Sequence, residues 1–232
     1  MSQAATSLRF AGIRLIAFDL DGTLIDSSRD LVTAVNAART RLGLGELDDL
    51  TVLGYVGQGA RNLMRKAMGG AASEAEVERG LEYFREFYAE HLLDHTRPYP
   101  GVREALAALA GRHLAVLTNK PLRFTLPILE GLGLARRFVR IYGEDSFPRK
   151  KPDPMGLESL LEEFRVAPRE ALMVGDSEID VETARNAGTW CCGVTYGLSS
   201  PQLAHCPPDL LVSNLLELVD ALGEKSPESG GP

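Results

Sequence analysis

The apolar and polar positions of the chain fall into two regimes. From Leu15 to Phe18 every residue is apolar, with no alternation. That is the pattern of a strand buried on both faces, as in a parallel sheet. Further strands are predicted at Leu114–Leu117, Val139–Tyr142, Ala171–Val174, Trp190–Val194 and Leu210–Val212. Helical periodicity fills the gaps, near residues 102–111, 122–132, 154–164, 178–187 and 214–222. Strands separated by crossover helices make a doubly wound parallel sheet. The expected class is therefore α/β with a Rossmann-like core, and the strand at Leu15 belongs to it.

Residues 27 to about 95 follow the other regime and look all-helical. Ser27-x-x-Asp30 comes close to a capping box and opens a helix carrying Leu31, Val35, Ala38 and Leu42, stopped by Gly43. Gly54 to Gly59 reads as a loop, followed by a helix through Leu63, Met64 and Ala67 that ends at Gly69-Gly70. Ser73-x-x-Glu76 is a fuller capping box. It starts a long helix with Val77, Leu81, Phe84, Tyr88 and Leu92 at helical spacing, the aromatics reading as packing residues. The helical block interrupts the sheet after its first strand. The expected division is an α/β catalytic core of residues 1–25 and 97–223, a helical cap of residues 26–96 and a disordered tail of residues 224–232. Residues 1–10 and 223–232, rich in Ser, Gly, Pro and Glu or Gln, are expected to fray.

Composition bounds the class. The 232 residues, 44% hydrophobic, fit one large domain or a core with a smaller insert. The net charge of −7 and the lack of a basic stripe argue against nucleic acid. No apolar run reaches the length of a membrane span, so no membrane partner is expected. Met1 to Phe10 lacks the basic start and apolar stretch of a signal peptide. Cys191, Cys192 and Cys206 read as reduced thiols, mostly buried, and the adjacent pair would point to opposite faces of a strand. These features place the expected protein in the cytoplasm, and a monomer or homodimer is expected.

Candidate chemistry stands where strands end, which is where open α/β sheets bind ligands. Asp19 and Asp21 follow the first strand, separated by one residue and succeeded by Gly22-Thr23. Two close carboxylates repel, and a hard divalent cation such as Mg²⁺ relieves them. Thr118 and Asn119 follow the next strand; they could hold a phosphate oxygen or simply form an Asx or Ser/Thr turn at Pro121. Lys151, before Pro152, offers a point charge to phosphate or sits in a solvated basic turn. Gly175-Asp176 follows a third strand, with Asp180 one turn on. Asp176 would ligate the cation, or cap the helix. Asp180 would bind the cation through water or orient another ligand.

Taken in order, Asp19-x-Asp21-Gly22-Thr23, Thr118, Lys151, and Gly175-Asp176 with Asp180 resemble the four motifs of the haloacid dehalogenase superfamily. The resemblance implies phosphoryl transfer through an aspartyl phosphate. Asp19 would be the nucleophile, and Asp21 the acid that protonates the leaving oxygen and then activates water. Mg²⁺ would bind Asp19, Asp176 and the Asp21 carbonyl, while Thr118 and Lys151 hold the phosphoryl group. The helical insert is similar to the small cap of that superfamily, which closes over small substrates.

Leu24-Ile25-Asp26-Ser27, Val56-Gly57-Gln58-Gly59, Thr118-Asn119-Lys120-Pro121 and Val194-Thr195-Tyr196-Gly197 are similar to phosphoglycolate phosphatases. The resemblance implies a small phosphorylated metabolite, 2-phosphoglycolate, as substrate. A sugar phosphomutase or another small-molecule phosphatase of the same architecture is the alternative. A substrate carboxylate needs a donor, since burying it unpaired is costly. The cap loop Gly57-Gln58-Gly59, with Arg61 as a bidentate clamp, is the expected reader, and an exposed Arg61 is the competing reading.

Overall fold

The computed structural model describes residue 10 and residues 12–224. Its centre is a six-stranded sheet made of β1 (Leu15–Phe18), β4 (His113–Leu117), β5 (Arg140–Tyr142), β6 (Ala171–Gly175), β7 (Trp190–Val194) and β8 (Leu210–Val212). The order across the sheet is β5-β4-β1-β6-β7-β8, and every pairing is parallel. The chain moves outward from β1 through β4 to β5. It then returns to the other side of β1 as β6 and continues outward through β7 and β8. Phe18 of β1 registers with Val116 of β4 and Val174 of β6. The three chain segments that leave β1, β4 and β6 therefore emerge side by side, at the point where the winding reverses.

The apolar strand residues explain why the sheet is covered on both faces. Ile16, Phe18, Val116, Val174 and Cys192 belong to one buried cluster. Leu15, Ala17, Leu117, Met173 and Cys191 belong to a second. The alternation of faces along each strand separates the adjacent cysteines. The covering helices on the core are α5 (Val102–Ala108), α6 (Leu122–Gly131), α7 (Met155–Phe164), α8 (Glu178–Ala187) and α9 (Leu215–Ala221). None of the described helices is long and apolar enough to cross a membrane.

Between β1 and α5 lies the helical insert: α1 (Ser28–Arg41), α2 (Asp49–Leu53), α3 (Ala60–Met68) and α4 (Glu74–Glu90). Its apolar stripes, with Leu31, Val35, Leu63, Met64, Leu81 and Phe84, join the first core cluster. Ser73 and Glu76 form the reciprocal capping box that opens α4. Residues 27–95 hold no strand, as expected; β2 (Ile25–Asp26) and β3 (Arg97–Pro98) pair antiparallel just outside them, where the chain enters and leaves the insert.

The near capping box at Ser27 is a correction. The Ser27 hydroxyl donates to Asp21 Oδ1 at 2.5 Å, and Asp30 accepts from Thr96 N at 2.8 Å and Thr96 Oγ1 at 2.7 Å. Both polar residues spend themselves on distant partners instead of on the first turn of α1. Fraying at the ends is corrected at three positions, one of them Gly223, whose N–H donates to the Asp220 carbonyl at 3.1 Å. Phe10 is buried, edge-on to Trp190 with ring centroids 5.4 Å apart. Glu224 takes an ion pair from Arg112 at 2.6 Å. The rest of those expectations fall on residues 1–9 and 225–232, outside the described residues.

Candidate active site

Each strand end delivers a different chemical group to one pocket. Asp19 and Asp21 come from β1, Thr118, Asn119 and Lys120 from β4, and Asp176 from β6. The cap supplies the facing wall with Val56, Gly57, Gly59, Phe84 and Tyr88. The pocket is thus a cleft between the sheet and the helical insert, with charge on one wall and apolar side chains on the other.

Asp19 Oδ1 accepts from the Leu20 amide at 2.7 Å and meets Lys151 Nζ at 3.0 Å. Burial pushes the Asp19 carboxyl up to about 6, and the Lys151 ammonium acts against that rise. Lys151 is itself buried, and its Nζ donates to Asp180 Oδ1 at 2.6 Å. Burial disfavours the ammonium, yet Asp180 and Asp19 together raise its pKa above the usual lysine range. Asp180 Oδ2 accepts from Ser177 N and, at 2.6 Å, from Ser177 Oγ. Asp180 thus touches Lys151 directly, and a carboxylate oxygen of it also lies among those of Asp19 and Asp176.

Asp176 does not cap α8. Its Oδ2 accepts from the Ser199 amide at 2.8 Å. Burial, then Asp180 and Asp19, push its carboxyl well above the usual range. Carboxylate oxygens of Asp19, Asp176 and Asp180 lie within 4.8 Å of one another. A methyl group at Gly22 or at Gly197 would overlap Asp176, so both positions leave room only for hydrogen. Three carboxylates converge here, two of them against one lysine, and they make a set of oxygen donors alone. That donor set fits a hard divalent cation.

Asp21 sits apart from that cluster and has its own cation. Lys120 Nζ contacts Asp21 Oδ1 at 2.9 Å and Oδ2 at 3.1 Å, and donates to the Tyr88 hydroxyl at 2.8 Å. Neither Lys120 nor Tyr88 emerges as a site residue from the sequence. Lys120 follows Thr118-Asn119 directly, so its place at a strand end was the available signal. Nothing in the spacing of α4 separates Tyr88 from its packing neighbours. It does pack, stacked on Phe84 at 5.3 Å, but its hydroxyl turns into the pocket.

Thr118 is buried, and its Oγ1 accepts from Lys120 N at 3.2 Å, a turn contact that leaves the hydroxyl on the pocket wall. Asn119 Nδ2 donates to the carbonyls of Lys151 at 3.0 Å and Gly57 at 3.1 Å, tying the core to the cap loop. Lys150 Nζ makes a second tie, to the Gln58 carbonyl at 2.8 Å.

The cap loop is only partly as expected. Gly57 and Gly59 line the pocket, while Gln58 Oε1 accepts from Asn62 Nδ2 at 2.6 Å, outside it. Arg61 is a correction. It pairs with Glu74 at 3.0 Å and with Glu78 on the exposed side of α3 and α4, and it does not reach the pocket. The two acids lie within reach on the first turns of α4, and solvent screens so exposed an ion pair.

The haloacid dehalogenase-like hydrolase family matches residues 16–194. The chain is similar to a phosphoglycolate phosphatase of Vibrio vulnificus, with 41% identity over 221 residues, covering 90% of this chain and 96% of that protein. A phosphoglycolate phosphatase of Chromobacterium violaceum is 40% identical over 216 residues, at 90% and 96% coverage. Among solved structures, a predicted phosphoglycolate phosphatase from Haemophilus somnus 129PT superposes with a TM-score of 0.86 at 34% identity. The superposition covers 90% of this chain and 97% of that one.

Proposed function

Because this chain belongs to the haloacid dehalogenase-like hydrolases and is a phosphatase acting on small phosphorylated substrates, we propose that it hydrolyses 2-phosphoglycolate through an aspartyl phosphate on Asp19, with Mg²⁺ as cofactor. The observation that carries this reading is the division of labour between two neighbouring carboxylates. Asp19 lies against Lys151 within the acidic cluster, while Asp21, two residues on, is held separately by Lys120 and Ser27.

In the first step the Asp19 carboxylate attacks phosphorus, the bond to the substrate oxygen breaks, and Asp21 gives its proton to that leaving oxygen. In the second step water attacks phosphorus, its proton passes to Asp21, and the bond to Asp19 breaks to release inorganic phosphate. Thr118 and Lys151 hold the phosphoryl oxygens, and Asp180 keeps Lys151 aimed at them. Asp19, Asp176 and the Asp21 carbonyl would hold Mg²⁺, which supplies neutralisation of phosphoryl charge when bound. The wall formed by Val56, Phe84 and Tyr88 excludes water around the reacting group.

The names of the relatives support 2-phosphoglycolate as the substrate. The test is free phosphate release from a panel of small phosphomonoesters with Mg²⁺, and again with a chelator. The reading expects the highest kcat/KM for 2-phosphoglycolate and no turnover without the metal. A preference for hexose phosphates, or movement of phosphate between positions on one sugar, would overturn the substrate. Full activity in the chelator would overturn the cofactor.

A further inference from the structure

We propose that Lys120 and Tyr88 form a positioning pair that holds the Asp21 carboxylate for proton transfer, with the cap supplying one member. The proposal rests on the acid and base role given to Asp21 above. It starts from an ion pair whose two side chains are only 5% and 13% exposed. Replacing a buried pair by apolar groups is often neutral or stabilising, so fold stability alone gives no reason for this one. Nor does Lys120 attend the phosphoryl end, where Lys151 already faces Asp19 at 3.0 Å.

What Lys120 does is fix a rotor. The terminal torsion of an aspartate is broad and only weakly selects an orientation. Asp21 Oδ1 is pinned twice, by Ser27 Oγ at 2.5 Å and Lys120 Nζ at 2.9 Å. Asp21 Oδ2 has the single longer contact, 3.1 Å to Lys120. Anchoring one oxygen leaves the other as the atom that meets the leaving oxygen and later the attacking water. Such orientation is where catalytic groups gain most of their effect.

Tyr88 completes the arrangement from across the cleft. Its hydroxyl accepts from Lys120 Nζ at 2.8 Å, while its ring stacks on Phe84 and stands edge-on to Phe124 of α6 at 5.2 Å. The ammonium lies 4.7 Å from the ring centroid. The ring is therefore fixed by packing, and the hydroxyl sets where Lys120 sits. A cap residue thus helps to aim an acid on the core, so that closure assembles the site.

The test separates leaving groups. An alkyl ester needs its leaving oxygen protonated, whereas p-nitrophenolate leaves without help. kcat/KM is measured for 2-phosphoglycolate, its carboxylate-free analogue 2-hydroxyethyl phosphate, and p-nitrophenyl phosphate. Lys120→Met is expected to lower kcat/KM for both alkyl esters about 100-fold and for p-nitrophenyl phosphate less than about 5-fold, with Tyr88→Phe following the same pattern at about 10-fold. An equal fall on all three substrates would overturn the proposal in favour of phosphoryl binding or a damaged fold. A fall on 2-phosphoglycolate alone would overturn it by making Lys120 a carboxylate reader. Asp21→Asn is measured beside them. If it lacks the leaving-group pattern, the role of Asp21 and the inference fall together; if it shows the pattern and the other two variants do not, the inference alone falls. Should Lys120→Met not fold by circular dichroism, Tyr88→Phe decides by the same criteria, since it keeps the packed ring.

Discussion

At Asp19 two forces oppose each other. Burial raises its pKa to about 6, and Lys151 at 3.0 Å resists. A folded value above the unfolded one means that the native state gives up stability as pH rises through that interval, in the absence of a compensating cation. Asp19→Asn removes the charge and the nucleophile together. Phosphate release should fall to background, because an amide cannot form the acyl phosphate. The Tm of the metal-free variant at pH 8 should equal or exceed that of the wild type. Retained turnover would remove Asp19 from the mechanism. Asp176 is the carboxylate that has no lysine against it, only the Ser199 amide. Asp176→Ala should raise the Mg²⁺ concentration for half-maximal activity by more than about tenfold; an unchanged Mg²⁺ titration would reassign the ligand. These two residues could be read in advance because an apolar run that ends in a carboxylate is informative by itself. Lys120 shows its place at a strand end but not its role, because that depends on Tyr88, 32 residues earlier in the helical insert. Arg61 misled for a related reason: a guanidinium beside a glycine loop reads as a clamp, and its acidic partners on α4 take it first.

At the scale of elements, the joint between insert and core depends on Asp30. This buried carboxylate near the start of α1 accepts from His95 N, Thr96 N and Thr96 Oγ1, and also meets His95 Nδ1 at 2.9 Å. It thereby ties the beginning of the insert to its end, next to the β2–β3 pair. Burial alone would raise its pKa, but the hydrogen bonds from Thr96 and His95 outweigh that and lower it. A folded value below the unfolded one makes the stabilisation complete above the unfolded range and lost as pH falls through the folded value. Asp30→Asn should therefore cost about 1–3 kcal/mol at pH 7, since an amide cannot accept from all these donors. The gap in Tm between variant and wild type should close as pH falls below about 4. A gap that stays constant down to pH 3 would show that shape, not charge, matters there. The Ser27-x-x-Asp30 spacing suggested a local cap because i and i+3 residues can serve either a turn or a distant strand, and local sequence does not choose between them. Where the partners are local, as for Ser73 and Glu76, the same signature was correct.

For the molecule as a whole, the sheet was legible because mostly apolar strands alternate with amphipathic helices, a pattern that allows few topologies. The neck of two-residue strands was not, because so short a pairing leaves no periodicity to detect. What sequence cannot express is how the cap sits on the core, and this rests on a few contacts across the cleft. Asn119 reaches the Gly57 carbonyl, Lys150 the Gln58 carbonyl and Lys120 the Tyr88 hydroxyl. Gly59 lies amid them, directly before α3, with φ at +85° and ψ at 162°. That region of backbone space is open essentially to glycine alone. A methyl group there would also displace the flexible ends of Glu144 and Lys150. Gly59→Ala should thus strain the loop that meets the core and shift it, while leaving the rest of the molecule folded. Misplacement on the ångström scale justifies an expected loss of about 10- to 100-fold in kcat/KM. Amide hydrogen exchange should speed up at residues 57–63 and stay unchanged in β1, β4 and β6. Wild-type kcat/KM with slow exchange in the loop would mean that the approach of cap to core at Gly59 has no part in assembling the site.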